Sequence, residues 1–242
     1  MSVSYKISGS EYKCILNSLE YNGLRRAEYG EDWNVYFDMS GIHHQKALEN
    51  ANKYQKINHF PGCWQLGRKD YMWKHLNKQR RSHPEAYNFV PTTYIFPSDF
   101  DRFEIARDNA PFHQLWIMKP TNQACGRGIK MVNKETKLRP KKDILVSEYI
   151  ANPHLINNFK YDLRIYVVVT SYDPLRIYLF NEGLARFATY EYNTKAKDIK
   201  KRFIHLTNFS VNKHSKKFVK NSRAELDGQG SKWSLSALRA HY

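Results

Sequence analysis

The chain has 242 residues, with 39 Lys plus Arg against 23 Asp plus Glu and a net charge of +16. That length admits one large domain or two small ones with a true core, and the field draws anions: nucleic acid, an anionic membrane or an acidic protein segment. An aromatic share of 14% excludes a disordered chain, no apolar run is long enough to span a bilayer, and Met1-Ser2-Val3-Ser4 lacks the apolar core of a signal peptide.

In chain order, "YKCILNSLEYNGLRRAE" (12–28) reads as a strand followed by a helix, "WNVYFDM" (33–39) as a strand and "IHHQKALENANKYQKI" (42–57) as a helix. "HFPGCWQLGRKDYMWKHLNKQRR" (59–81) opens on a Pro-Gly turn and enters a basic helix. "YNFVPTTYIFPSDFDRF" (87–103) has strand-like runs broken by Pro91 and Pro97. "LWIMKP" (115–120) is a short buried strand, "TNQACGRGIKMV" (121–132) a glycine loop entering a strand, and "DILVSEYI" (143–150) a further strand. "ANPHLINNFK" (151–160) is a turn. Two apolar runs, 165–170 and 176–180, flank Ser-Tyr-Asp-Pro and make a buried hairpin. "NSRAELDGQGSKWSLSALRAHY" (221–242) is a polar loop with a helix start that Ser234 caps. The order suggests lobes at 1–60, 61–150 and 151–242. Cys14, Cys63 and Cys125 are odd in number and at no zinc spacing, which suits reduced thiols in a cytosolic protein.

Chemistry concentrates at four places. Lys119 ends a strand and faces Gly126-Arg127-Gly128. Glycines admit phosphate oxygens to backbone N–H groups and the lysine neutralises them, although a tight hairpin with a snorkelling lysine explains this pair equally simply. The strand end Ser147-Glu148-Tyr149-Ile150 offers backbone groups to an adenine edge, with Ile150 over its face, or is an ordinary strand end. Lys160, Asp162 and Arg164 alternate, so they share one strand face. Arg164 could clamp a γ-phosphate and Asp162 orient Lys160 or Arg164, against a plain salt-bridge ladder. "HLTNFS" brings Thr207, Asn208 and Ser210 together beside His205, which is read as structural. The helix 68–81 interleaves Lys69, Lys74, Lys78, Arg80 and Arg81 with Tyr71 and Trp73, a stripe that could stack bases or be a solvated face.

Taken in order, "INHFPGCWQLGRKDYMWKHL", "WIMKP", "GRGI", "YIANPHLINNFKYDLRIYVVVTSYDPLRIYLFNEGLARFATYEY", "IHLTNFSVNKHS" and "GSKWSLSALRAHY" resemble the tubulin–tyrosine-ligase-like family, most of all its polyglutamylase branch, from about Trp33 onward. The resemblance implies an α/β (α+β) ATP-grasp fold with nucleotide between two lobes. It also implies an ATP-dependent ligase adding free L-glutamate to glutamate side chains of acidic tubulin tails through an acyl phosphate. Glycylation, or a truncated non-catalytic tubulin binder, are the alternatives. ATP and Mg²⁺ are the implied cofactors. Lys119, Gly126, Arg127, Gly128, Ile129, Ser147, Glu148, Tyr149, Ile150, Lys160, Asp162, Thr207 and Asn208 carry over as nucleotide-binding. Arg164 and Arg186 carry over as catalytic, and Arg186, Phe209, Ser210 and Lys232 as substrate-binding. The implied setting is cytoplasmic, on microtubules or at the cilium and basal body, as a monomer without nucleic acid or membrane.

The chain departs from the family pattern at three points. Phe209 stands where relatives often have Tyr, and Ser147 where a longer polar side chain is common. Relatives continue to an acidic segment, an Asp and then Glu-x-Asn, that binds Mg²⁺. Here Tyr242 comes before it, so no metal ligand is assigned and the C-terminal lobe reads as incomplete.

Overall fold

A computed structural model describes residues 3–39, 44–221, 223 and 226–242, and the chain divides into units 1–67 and 68–242. The class is mixed α/β. No helix among the described residues is long and apolar enough to cross a membrane.

In the first unit, β1 (Ser4–Ser8) is flanked by β2 (Arg25–Arg26) and β3 (Val35–Asp38), with β4 (Lys56–Ile57) outside β3, all parallel. Tyr5 of β1 is almost fully buried. The strand expected at residue 12 is instead the start of helix α1 (Lys13–Tyr21). Ile15, Leu16 and Leu19 recur at helical spacing, and β1 has already taken the strand position. The helix read over 42–57 is only α2 (His44–Glu49), ending before β4. Ile42 and His43 of that reading lie outside the described residues, as do Met1, Ser2, Ser222, Ala224 and Glu225. Helix α3 (Trp64–Gly67) closes the unit.

The second unit holds two antiparallel sheets. One has strand order β5-β8-β6-β7, from β5 (Thr93–Phe96), β6 (Trp116–Pro120), β7 (Lys130–Val132) and β8 (Ile144–Glu148). Alternation divides its faces. Tyr94, Phe96, Trp116, Val132 and Val146 point into a core that buries Phe103 of helix α5 (Phe100–Asn109) completely. Phe103 meets the Tyr94 and Trp116 rings edge to face. Helix α5 replaces the strand-like reading after Pro97: Asp99 turns back to accept from the Ile95 N–H at 2.9 Å, and the chain enters the helix at once. The other face presents Thr93, Ile117, Lys119, Leu145 and Ser147, and helix α4 (Lys69–Ser82) supplies Lys69, Met72, Trp73 and Leu76 beside them.

The other sheet runs β12-β11-β10-β9, from β9 (Leu155–Ile156), β10 (Phe159–Tyr172), β11 (Leu175–Phe187) and β12 (Lys232–Ser234). At its base, Ala185, Phe187 and Trp233 pack on Leu235 and Leu238 of helix α8 (Leu235–His241). Beyond the base, the hairpin expected to be buried is exposed: Val167 is 55% and Leu179 66% accessible. Apolar residues occupy both faces there, and α8 covers only the base. Helices α6 (Arg202–His205) and α7 (Phe209–Asn212) lie between β11 and β12 in the chain.

The start of α8 is fastened by Glu182. Its carboxylate accepts from the Leu235 N–H at 2.7 Å, the Ser236 N–H at 3.2 Å, the Ser236 hydroxyl at 2.5 Å and the Gly183 N–H at 2.9 Å. The Ser236 hydroxyl bond, with the backbone bonds behind it, holds its pKa down from 4.5 to about 2. A carboxylate with a depressed folded pKa stabilises above its unfolded value and loses that contribution as pH falls through the folded one. Glu182→Gln is therefore expected to lower Tm near neutral pH, and the gap to the parent should close between pH 4.5 and about 2. Circular-dichroism melts across that range check it, and a gap that stays constant with pH would refute it.

Candidate functional site

One cleft in the second unit, of about 250 Å³, gathers Lys69 from α4, Lys119 from β6 and Lys160 from β10. Its walls are apolar: Met72, Trp73, Leu76, Ile117, Leu145 and Ile150 line it. Among the described residues, no ion pair is formed by any of the three lysines. Lys69 donates to the carbonyls of Pro120 at 3.3 Å and Gln123 at 2.6 Å. Lys160 donates to the Tyr149 hydroxyl at 2.9 Å and to the His205 carbonyl at 3.1 Å. Burial lowers the pKa of all three ammonium groups. The Lys69 charge lowers Lys119 further, and the Lys119 charge helps bring Lys160 to about 8. Three crowded cations facing an apolar slot suit a flat apolar group that carries several negative charges.

The cleft brings together Lys119, Ser147, Glu148, Tyr149, Ile150 and Lys160 of the residues expected from sequence. The Ser147 hydroxyl is buried 2.9 Å from that of Thr93, so it holds the sheet rather than facing solvent. Tyr149 contributes its side chain as well as its backbone. Its ring lies under the Lys160 ammonium, 4.5 Å from centroid to nitrogen, and burial pushes its hydroxyl pKa well up.

A second group forms one row on the open face of the other sheet. Asp162, Arg186 and Lys232 sit at matched register positions on β10, β11 and β12. Arg186 grips Asp162 with both arms, Nε to Oδ1 at 2.9 Å and Nη2 to Oδ2. This pairing differs from the expected one of Asp162 with Lys160 or Arg164, because the antiparallel register sets Arg186 directly opposite. Arg164 opens to solvent on the same face, opposite Leu184.

The glycine loop forms a third group. Cys125, Gly126 and Gly128 all have positive φ. Arg202 donates to the Gly126 carbonyl at 2.8 Å and Ser210 to the Cys125 carbonyl at 2.7 Å. A Cβ on Gly126 would meet Val211 at 2.8 Å and Asn208 at 3.0 Å, and one on Gly128 would meet Pro120 at 2.7 Å. Both glycines are thus required by the protein's own packing. Arg127 lines a separate basic cavity of about 880 Å³ with Lys200, Lys201, Arg202, Ser210 and Lys213. Ile129 packs on the core formed by Leu115, Ile117, Tyr149 and Leu206, Thr207 is buried and Phe209 is exposed. No group of three or more His, Cys, Asp or Glu among the described residues could hold a metal ion.

Sequence reasoning gave Lys69 and Trp73 to a base-stacking or solvated stripe and missed Met72 and Leu76, although the i, i+3, i+4, i+7 spacing of the four marks one helix face. It also missed Asn212, whose buried amide accepts from the Thr189 N–H and hydroxyl and donates to the carbonyls of Leu206 and Asn208.

The profile of the "Tubulin-tyrosine ligase family" matches residues 46–242. The chain is 39% identical over 241 residues to the tubulin polyglutamylase TTLL5 of Homo sapiens, covering 98% of this chain and 18% of that protein. It is 43% identical over 199 residues to the tubulin monoglutamylase TTLL4 of Homo sapiens, covering 81% of this chain and 16% of that protein. It is 35% identical over 236 residues to the tubulin polyglutamylase ttll6 of Danio rerio, covering 97% and 29%. The chain thus spans under a third of the length of these relatives.

The packing around the loop has a direct consequence. Gly126→Ala and Gly128→Ala are each expected to cost ~1–3 kcal/mol through left-handed backbone strain and contact. Gly67→Ala, with open space around its Cβ and no positive φ, should be neutral. Urea unfolding of the three variants distinguishes them, and equal stabilities would refute the packing account.

Proposed function

Because the chain belongs to the tubulin-tyrosine ligase family, we propose that it carries the nucleotide cleft of an ATP-dependent ligase. That ligase adds L-glutamate to glutamate side chains of acidic tubulin tails and works on the microtubule cytoskeleton, the cilium and basal body included. The observation that carries this reading is the convergence of Lys69, Lys119 and Lys160, none in an ion pair among the described residues, on one apolar slot. An adenine ring would lie between Met72, Trp73 and Leu76 on one side and Ile117 and Leu145 on the other. The phosphates would run on past the three ammonium groups.

In this reaction a terminal P–O bond of ATP breaks as the phosphoryl group passes to a side-chain carboxylate of the acceptor. The amine of L-glutamate then forms the C–N bond as phosphate leaves, and one amine proton goes to solvent. The products are an isopeptide bond, ADP and phosphate. Such chemistry calls for charge neutralisation and positioning more than for a side-chain nucleophile. The lysines would neutralise phosphate oxygens. Arg164 opens onto the same sheet face and would meet the acyl phosphate. Arg186, held rigid by Asp162, would receive the carboxylate of the incoming amino acid, with Lys232 next to it in the row and Ser210 and Phe209 nearer the glycine loop. Thr207 and Asn208 would complete the nucleotide contacts. Among the described residues, no group of three or more His, Cys, Asp or Glu is placed to hold Mg²⁺. The +16 charge favours capture of acidic tails in a salt-dependent way.

Two variants test the assignment. Lys119→Ala is expected to weaken ATP binding at least ~10-fold, on the order of one lost charge-assisted contact, as read by calorimetry. Unchanged affinity would remove Lys119 from the site. Arg186→Gln should keep ATP affinity within about twofold yet abolish transfer of labelled glutamate to microtubules. Transfer at the parent rate would make Arg186 a structural partner of Asp162 alone.

A further inference from the structure

The inner end of Lys160 is held by a chain of hydrogen bonds whose polarity can be read from one carbonyl. His205 is buried, and its Nε2 lies 3.3 Å from the backbone carbonyl of Asp198, which only accepts. Nε2 therefore carries a proton. Burial lowers the imidazole pKa and so keeps the ring neutral, and Nδ1 is a lone pair. The Tyr149 hydroxyl, 3.1 Å from Nδ1, donates to it, while the Tyr192 hydroxyl, its other polar neighbour, donates to the Ala151 carbonyl at 2.7 Å. The lone pairs of the Tyr149 hydroxyl then face Lys160 Nζ, which donates from 2.9 Å. A second Lys160 N–H goes to the His205 carbonyl at 3.1 Å. An ammonium has three donors, so a single N–H is left toward the cleft. The charged and titratable groups around Nζ are Lys119 on β6, Asp162 on its own strand, Tyr149 at the end of β8, Tyr192 with its ring centroid 6.0 Å away, and His205 on α6.

We propose that His205 is a positioning residue for Lys160: its Nδ1 lone pair fixes the rotation of the Tyr149 hydroxyl, and that hydroxyl holds the ammonium so that one N–H is presented to an anion in the cleft. The proposal rests on the nucleotide reading of the cleft for its purpose, but the relay itself is independent of any ligand. Its consequence is electrostatic. The hydroxyl favours the charged form of a lysine that burial and Lys119 already hold at about 8. Without it, the lysine should lose charge at still lower pH.

The test is the titration of Lys160, followed by NMR of the chain labelled at lysine Cε and assigned with Lys160→Arg. The parent midpoint is expected at about 8. Tyr149→Phe and His205→Leu should lower it by ~1–2 units, the worth of a hydrogen bond to an ionised group. His205→Asn, which keeps an acceptor oxygen near the position of Nδ1, should restore it. A Tyr149→Phe chain that is folded by circular dichroism and titrates like the parent overturns the proposal, whether or not the His205 variants fold. ATP calorimetry on the same samples separates the two readings. A parent that fails to bind ATP overturns the nucleotide assignment and leaves the NMR shift to decide the relay. A parent that binds should lose ~10-fold affinity in His205→Leu near pH 7.5 and keep it in His205→Asn.

Discussion

Three lysine ammonium groups in one apolar cleft, none of them in an ion pair among the described residues, are the constraint around which the second unit is arranged. Burial strips their water, and for Lys119 and Lys160 a neighbouring ammonium adds repulsion, so each is held below the ordinary lysine range. The direction of the cost follows. A lysine whose folded pKa is lowered works against folding while it is charged, and that penalty eases as pH rises through about 8 for Lys160. The fold softens the cost with neutral hydrogen-bond acceptors, carbonyls for Lys69 and a phenol and a carbonyl for Lys160, and with the nearby charges of Asp70 and Asp162. Neutral acceptors orient a cation without cancelling its charge, which is what a site for a polyanion requires. A carboxylate in the same place would stabilise the free protein and compete with the ligand.

Much of this was legible in the sequence, and the illegible part has identifiable physical causes. Lys119, Tyr149, Ile150 and Lys160 lie on or beside strands whose alternation can be counted, and they do meet in one cleft. Lys69 was hidden by its surroundings: among Lys74, Lys78, Arg80 and Arg81 it reads as one more solvated cation, and only the stripe with Met72, Trp73 and Leu76 sets it apart. The pairing of Asp162 with Arg186 depends on hairpin register, and β10 and β11 carry irregularities between Ile165 and Val167 and between Val169 and Ser171. A one-residue change in register would have reversed the faces. Helix α5 was mistaken because its aromatic residues follow directly on a strand run, although Phe96, Phe100 and Phe103 recur at helical spacing, and the deciding contact is Asp99 turning back on Ile95. The hairpin was expected to be buried because apolar residues fill both of its faces. Burial needs two covering layers, and composition along a strand does not reveal whether they are present.

The two sheets of the second unit solve the same problem in the same way. In β5-β8-β6-β7, one face gives Tyr94, Phe96, Trp116 and Val146 to the core over α5, and the other gives Ile117, Lys119 and Leu145 to the cleft. In β12-β11-β10-β9, one face gives Ala185, Phe187 and Trp233 to the core beneath α8, and the other gives Asp162, Arg186 and Lys232 to the open row. Arg186 is therefore flanked by buried Ala185 and Phe187, and Lys232 adjoins buried Trp233. That adjacency fixes the angle of the polar side chain, because the backbone on either side is clamped by packing and by the ladder. It also predicts how damage spreads. Truncating Phe187 would loosen the backbone that aims Arg186, and truncating Val146 would loosen the strand that carries Ser147, so core changes at these positions should reach the chemistry as surely as changes to the charged residues themselves.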